Sequence, residues 1–252
     1  MIATPAWPPR STPRLFVDRA LAAGPLTLEG PAAHYLATVM RAKPGDPVKL
    51  FDDRTGEWLA TVAAQGRRDV SLDIGERLRP REPVPDLWLC AAPLKKGRVD
   101  WLAEKGCELG VARLVPVVTR RTVVDKPNGE RLRAHMIEAA EQCDRTALPE
   151  LAEPVKLPAL LRDWPADRVL FFADEQGGSD ALAAMTARPG PAAILIGPEG
   201  GFDEAEREAI RAHPAGVAIT LGPRILRADT AAAAAVALWM AAAGDWRSAT
   251  GL

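Results

Sequence analysis

Two glycine–proline loops near the C-terminus constrain this chain more than anything else in it. One reads AILIGPEGGFDEAERE, residues 193–208, and the other reads AITLGPRILRADTAAAA, residues 218–234. Each runs from a short apolar stretch through Gly-Pro and a polar turn into a helix-forming stretch. A strand that ends so sharply leaves bare backbone at the turn. Glycine opens backbone angles closed to other residues and lets a ligand approach the main chain, and proline fixes the turn beside it. Two such turns close in sequence predict a small-ligand site, with Gly200 expected at a positive φ. Neither loop is G-x-G-x-x-G and neither ends in Gly-Lys-Ser/Thr, which excludes the usual dinucleotide and triphosphate cradles.

The helix after the first loop narrows the ligand further. Asp203 is placed to cap it, with Glu206 three residues on as a D-x-x-E variant of the capping box and Glu204 in the same turn. Carboxylates there satisfy the helix dipole and displace any other anion. A neutral or cationic ligand fits such a loop better than a phosphate does.

The rhythm of the chain changes midway. From Arg14 to Leu78, short strand-like runs (RLFVD, DPVKLFD, EWLATVAA, DVSLDIG) are separated by turn signals, with one helical segment near residues 32–40. This predicts a small β-barrel domain over residues 1–78. Residues 79–86, RPREPVPD, carry three prolines among charges and read as a linker. From Leu87 to the end, apolar runs LWLCAA, VARLVPVV, RVLFFAD, AAILIG and VAITLG alternate with helical stretches. That alternation predicts an α/β domain over 87–252, a mainly parallel sheet with helices on both faces.

Bulk properties exclude several classes. The net charge of −1 removes the reading of the whole chain as a nucleic-acid sponge, so RNA contact requires a local basic face. Cys90, Cys107 and Cys143 are odd in number and widely spaced, which fits a reducing cytosol and forms no zinc pattern; no metal is expected. The proline-rich start lacks the apolar stretch of a signal peptide, and the longest apolar run, 231–243, is too short to cross a bilayer. A cytoplasmic protein with no membrane contact is expected.

GPEGGF followed by LGPRILR resembles the paired signature of SPOUT-class RNA methyltransferases, and more closely the enzymes that methylate N3 of a uridine in 16S ribosomal RNA. PRLFVD (13–18), HYLATVMRAKPGD (34–46), LKKGRVDWLAEKGCELGV (94–111), TRRTVV (119–124) and EAAEQCDR (138–145) are similar to further segments of that family. The family usually shows Leu-Arg-Thr-Glu-Thr where this chain has Leu226-Arg227-Ala228-Asp229-Thr230, so the carboxylate is one methylene shorter. The resemblance implies a trefoil knot in the C-terminal domain, a PUA-like RNA-binding N-terminal domain, S-adenosyl-L-methionine as cofactor, a homodimer, and 16S ribosomal RNA or the small ribosomal subunit as partner. Rival readings are a non-catalytic ribosome-assembly protein that kept the fold, and a methyltransferase of tRNA ribose.

The cofactor residues it implies are Ile196, Gly197, Pro198, Glu199, Gly200 and Gly201 in the first loop, and Leu221, Gly222, Ile225, Leu226 and Thr230 in the second. Glu175 joins them from the end of FFADE, where open α/β sheets bind ligands. Arg227 is the candidate for stabilising charge on the uracil carbonyls. Asp229 is either a plain helix cap or a catalytic carboxylate. Arg10, Arg14, Arg41, Lys95, Lys96, Arg98, Arg120 and Arg121 are the candidate RNA contacts, Lys95-Lys96-Gly97-Arg98 standing out because it joins a strand to a helix at the ligand edge.

Overall fold

Alternating apolar residues build the N-terminal strands of the computed structural model, which describes residues 12–95, 97–124 and 126–248. Arg10 and Lys96 lie outside the described residues. The strands are β1 (Arg14–Phe16), β2 (Gly24–Glu29), β3 (Pro47–Asp52), β4 (Gly56–Gln65) and β5 (Asp69–Arg79), with α1 (Gly30–His34) between β2 and β3. They pair in the order β1-β3-β4-β5-β2, antiparallel except for β1 against β3. In β5, Val70, Leu72 and Ile74 point inward and join Leu26, Leu28, Val48, Leu50 and Val62 in one core, as the two-residue period of a strand requires. β2 has no counterpart among the predicted runs, because Pro25 interrupts it and only Leu26 and Leu28 mark its inner face. The predicted helix is split: α1 continues into a π-helical turn, Tyr35–Val39, in which the Met40 amide reaches back to the Tyr35 carbonyl at 2.9 Å.

The second set begins with β6 (Leu87–Ala91), α2 (Arg98–Glu108), β7 (Arg113–Val118) and α3 (Gly129–Gln142). It continues through β8 (Glu150–Leu151), β9 (Val155–Lys156), α4 (Leu157–Arg162), β10 (Val169–Ala173), β11 (Ser179–Asp180) and α5 (Ala181–Thr186). It closes with β12 (Ala192–Ile196), α6 (Glu204–Ala212), β13 (Gly216–Thr220) and α7 (Ala228–Ala242). The sheet runs β11-β13-β10-β12-β6-β7-β8, with β9 also on β7, and its strand pairs are parallel. One face carries Cys90, Leu170, Phe172, Ala193 and Leu195 and packs with Leu157 of α4 and Ile210 of α6. The alternate residues Leu89, Phe171 and Ile194 are equally buried on the other face, where α7 packs on β6 and β12 and touches α2 and α5. The expected α/β class with a covered parallel sheet is therefore observed. Continuous apolar runs, rather than alternating ones, are what a sheet buried on both faces needs.

The chain divides into two compact units, 1–83 with 140–147, and 84–139 with 148–252. The first unit owns the short return segment because Arg14 claims it. Buried, with its guanidinium over the Phe51 ring, Arg14 pairs with Glu57 and donates to the Ala140 and Arg145 carbonyls. Arg145 adds an ion pair to Glu82 at 3.2 Å, and Glu141 accepts the Phe16 amide at 3.0 Å. Burial alone would raise the Glu57 carboxyl, but hydrogen bonds from Arg79 and Arg14 outweigh it and hold the group below its usual range. This placement corrects the expectation for Arg14: a guanidinium so spent has no surface to offer an RNA phosphate.

Candidate active site

Three neighbouring strands, β13, β10 and β12, end side by side at the carboxyl edge of the parallel sheet. The chain leaves β12 through Gly197-Pro198-Glu199-Gly200-Gly201 and β13 through Leu221-Gly222-Pro223-Arg224-Ile225. Between these loops lies a cleft of about 430 Å³, within the range of small-molecule sites and at the sheet edge where open α/β folds hold ligands. Of the predicted cofactor residues, Glu175, Ile196, Gly197, Pro198, Glu199, Gly201, Leu221, Gly222, Ile225 and Leu226 line it. Gly200 and Thr230 are not part of the lining.

The first loop is held from several sides. Arg121 donates to the Gly200 carbonyl at 2.7 Å, and the Lys95 amide donates to Glu199 at 3.3 Å. The capping box forms in full: Asp203 accepts the Glu206 amide at 2.7 Å, and Glu206 accepts the Asp203 amide at 3.1 Å. Glu206 also accepts the Arg120 amide at 2.8 Å, while the Arg120 guanidinium meets Asp203 at 3.0 Å. The Glu206 amide, ahead of the opposing effect of burial and aided by Arg120, holds the Asp203 carboxyl below its usual range. Gly201, not Gly200, carries the left-handed backbone, with φ of 68°, and a Cβ added there would fall 3.0 Å from the Glu175 carboxylate. The expectation for Gly200 is thus corrected by one residue; of two adjacent glycines, sequence does not reveal which one makes the turn.

The second loop is nearly bare. Gly222 takes φ of 102°. Ile225 is 85% exposed, and Pro223, Arg224 and Arg227 are exposed as well. Arg227, not Asp229, is the N-cap residue of α7, and its side chain makes no cap hydrogen bond. Asp229 sits inside the first turn, accepting the Thr230 amide at 2.8 Å and facing Arg98 at 3.7 Å. The plain-cap reading of Asp229 therefore fails. Arg98, expected at RNA phosphate, instead lines the cleft from the start of α2.

The cleft wall holds a charge network of which only Glu175 and Glu204 are marked out by the sequence. Asp174, almost wholly buried, receives Arg211 at 2.6 Å and Arg207 at 3.2 Å. Arg207 is itself buried and also reaches Glu175 at 3.1 Å and Glu204 at 3.0 Å. Glu175 is thereby fixed at one oxygen while its side chain stays about half exposed. The sequence signal for Asp174 is a carboxylate directly after an apolar strand, one residue before Glu175. Of the remaining RNA candidates, Arg41 and Lys95 are exposed, and Arg120 and Arg121 are exposed but bonded to the first loop. Cys90 is enclosed in the sheet core, where burial pushes its thiol up to about 12 and leaves it inert.

The family described as RNA methyltransferase domain matches residues 80–240, and RNA methyltransferase PUA domain matches residues 28–75. Ribosomal RNA small subunit methyltransferase E of Rickettsia conorii is 30% identical over 207 residues, covering 81% of this chain and 84% of the relative. The Bacillus subtilis protein of that name is 31% identical over 219 residues, covering 81% and 85%. Among solved structures, the Neisseria gonorrhoeae methyltransferase E bound to S-adenosyl methionine superposes with a TM-score of 0.85 at 26% identity, over 93% of this chain and 99% of that one. A Legionella pneumophila putative methyltransferase in complex with the same cofactor gives 0.83 at 29% identity, over 92% and 98%. By fold and cleft this is an RNA methyltransferase with a PUA domain, and the chain belongs to the ribosomal RNA small subunit methyltransferase E family.

Proposed function

We propose that this chain transfers the methyl group of S-adenosylmethionine to N3 of a uridine in 16S ribosomal RNA. The observation that carries the reading is the cleft between the two glycine–proline loops, in a chain whose family is named for methylating small-subunit ribosomal RNA. The residues present fit the cofactor. Gly201 and Gly222 bring bare backbone to the cleft at angles only glycine adopts easily. Glu175 and Glu199 offer carboxylates to a cation, and the filled capping box at α6 disfavours a phosphate. When bound, the cofactor supplies a methyl group already activated on a sulfonium.

The protein's share is positioning and electrostatics. As N3 of uracil loses its proton, negative charge spreads onto the two flanking carbonyl oxygens. Arg227 and Arg98 both line the cleft, and a guanidinium aimed at developing oxyanion charge lowers the barrier. Asp229 faces Arg98 and orients it, which makes it a positioning residue in this scheme. The family's trefoil knot belongs to the same proposal; the placement of β12 between β10 and β6, with α7 packed on β6 and β12, supports it. So does a homodimer: Trp101 of α2, Leu182 of α5 and Trp246 just after α7 leave apolar surface on one helical layer. No helix among the described residues is long and apolar enough to cross a membrane, in keeping with work on ribosomes in the cytoplasm.

The deciding experiment incubates the purified protein with labelled S-adenosylmethionine and small subunits from a strain lacking this gene, then digests the RNA for mass spectrometry. N3-methyluridine in one fragment is the expected product. A 2′-O-methylated nucleoside would establish ribose chemistry instead, and no label in RNA would overturn the reading.

A further inference from the structure

Arg207 and Arg211 stand one helical turn apart on α6 and share a face. Both reach the end of β10, where Asp174 and Glu175 leave the strand. Arg211 donates to one oxygen of the enclosed Asp174 at 2.6 and 2.9 Å, and the Gln176 amide donates to the other at 3.0 Å. Arg207, buried, spreads its guanidinium over three carboxylates: Glu204 at 3.0 Å, Glu175 at 3.1 Å and Asp174 at 3.2 Å. We propose that Arg207 is a positioning residue that holds Glu175 in the cleft as the counter-charge of the cationic methyl donor, so that the pair sets the preference for S-adenosylmethionine over its neutral demethylated product. The inference rests on the proposed cofactor and adds to it the residue that orients the discriminating group.

Three observations carry it. The first is the state of Glu175. Its Oε1 is tied to Arg207 and lies where a Cβ on Gly201 would come within 3.0 Å, so the bare turn of the first loop makes room for this carboxylate. Its Oε2 has no hydrogen bond or ion pair among the described residues, and the side chain is 48% exposed where it lines the cleft. The second is that the other lining carboxylates are occupied: Asp174 by Arg211, Arg207 and the Gln176 amide, Glu199 by the Lys95 amide at 3.3 Å. The third is the charge around them. Arg98, Arg224 and Arg227 line the same cleft, and their guanidiniums repel a cation. A cationic ligand therefore needs a carboxylate whose free oxygen is kept turned to it, and the tie to Arg207 keeps Glu175 from swinging towards those arginines. Donor and product differ by one methyl group and one positive charge. A contact with that charge appears in the ratio of their two affinities, and a contact with any shared group does not.

Calorimetry on the full chain, with S-adenosylmethionine and with S-adenosylhomocysteine, reads the preference. Glu175→Gln keeps the shape and removes the charge at a half-exposed site. It should weaken S-adenosylmethionine about tenfold, the scale of one carboxylate beside a cation in a partly wet cleft, and move the product by less than about twofold. Arg207→Lys keeps the buried charge but replaces the planar fork by one ammonium that cannot bridge three carboxylates, and it should cut the preference about threefold. In the Glu175→Gln background the same change should leave the preference where it was, because the coupling runs through Glu175. A purely structural Arg207 would lower the melting temperature and weaken both ligands alike in either background, and that result would overturn the proposal. So would a Glu175→Gln variant that loses both ligands equally, the mark of a hydrogen bond to a group they share. A wild-type chain that binds neither ligand removes the cofactor and this inference together. One that binds both and transfers no methyl to RNA removes only the RNA reading, and the affinity ratios still decide the role of Arg207.

Discussion

The two glycine–proline loops look alike in sequence and differ in how they are held. The first, 197–203, is bonded by Arg121, by the Lys95 amide and by its own capping box. Gly197 within it lies against Phe202, where an added Cβ would sit 3.1 Å from the ring. Apart from the backbone bonds of α7, the second loop shows among the described residues only a long contact, 3.4 Å, from the Thr220 hydroxyl to the Gly222 carbonyl. One wall of the cleft is thus built before any ligand arrives. The other has few bonds of its own among the described residues. Preorganised walls supply affinity because no ordering cost remains; loosely held walls supply closure and turnover.

The largest effect that would break this comparison belongs to Gly201. Gly201→Val places a β-branched residue at φ of 68° with its Cβ 3.0 Å from the Glu175 carboxylate. Cofactor affinity by calorimetry should fall by roughly a hundredfold or more, because strain of about 1–3 kcal/mol adds to the blocked approach. Gly200→Val, with ordinary backbone and an added Cβ 3.5 Å from Arg121, should change affinity less than threefold. If the two variants behave alike, the first wall is not set by the Gly201 turn. Next comes Arg227→Ala in the open wall. Single-turnover methyl transfer should slow by about 10²–10³, the usual loss of one oxyanion donor, while cofactor affinity stays within threefold. Arg227→Lys should recover only part, since an ammonium lacks the planar fork. A selective loss of affinity instead would make Arg227 a binding residue.

Most of the second unit was legible because its strands are continuous apolar runs, and β6, β7, β10, β12 and β13 fall on the five runs named from sequence. The ligand loops were legible because glycine, proline and capping residues act through local chemistry. What stayed hidden depends on distant partners. Nothing local to Arg14 says that it is enclosed by Phe51, Glu57 and a carbonyl pair more than a hundred residues away. Nor does the helical period of α3 say that residues 140–147 fold with the first unit. A cut at residue 78 would therefore strand Arg145 and the segment around it. A basic residue at a strand–helix junction signals phosphate, and Arg98 fits that local pattern; its turn towards Asp229 depends on α7, far along the chain.

Arg121→Ala sharpens the comparison at lower cost. It removes the guanidinium that holds the Gly200 carbonyl at 2.7 Å. Because Arg121 is exposed, water replaces much of that bond. Cofactor affinity should weaken about fivefold, mainly through faster dissociation, and the melting temperature should barely move. An equal loss in maximal rate would show that the first loop also moves during turnover.

The smallest effect is expected from Asp203→Ala, which removes the cap without touching the cleft lining. The native carboxyl is held below the ordinary aspartate value of 3.8, first by the Glu206 amide and then, against the opposing effect of burial, by Arg120. A depressed folded-state pKa means the ionised form stabilises the fold. That contribution is complete above 3.8 and disappears as pH falls through the lowered value. The wild-type protein should therefore melt a few degrees above the variant from pH 5 to 8, by a constant margin. The margin should narrow only below about pH 4, as the native carboxyl takes up its proton. Cofactor affinity should follow the same profile in weaker form, because α6 carries the first loop. A margin that closes between pH 5 and 7 would mean another group titrates there, and the first wall would then owe its rigidity to something other than the capping box.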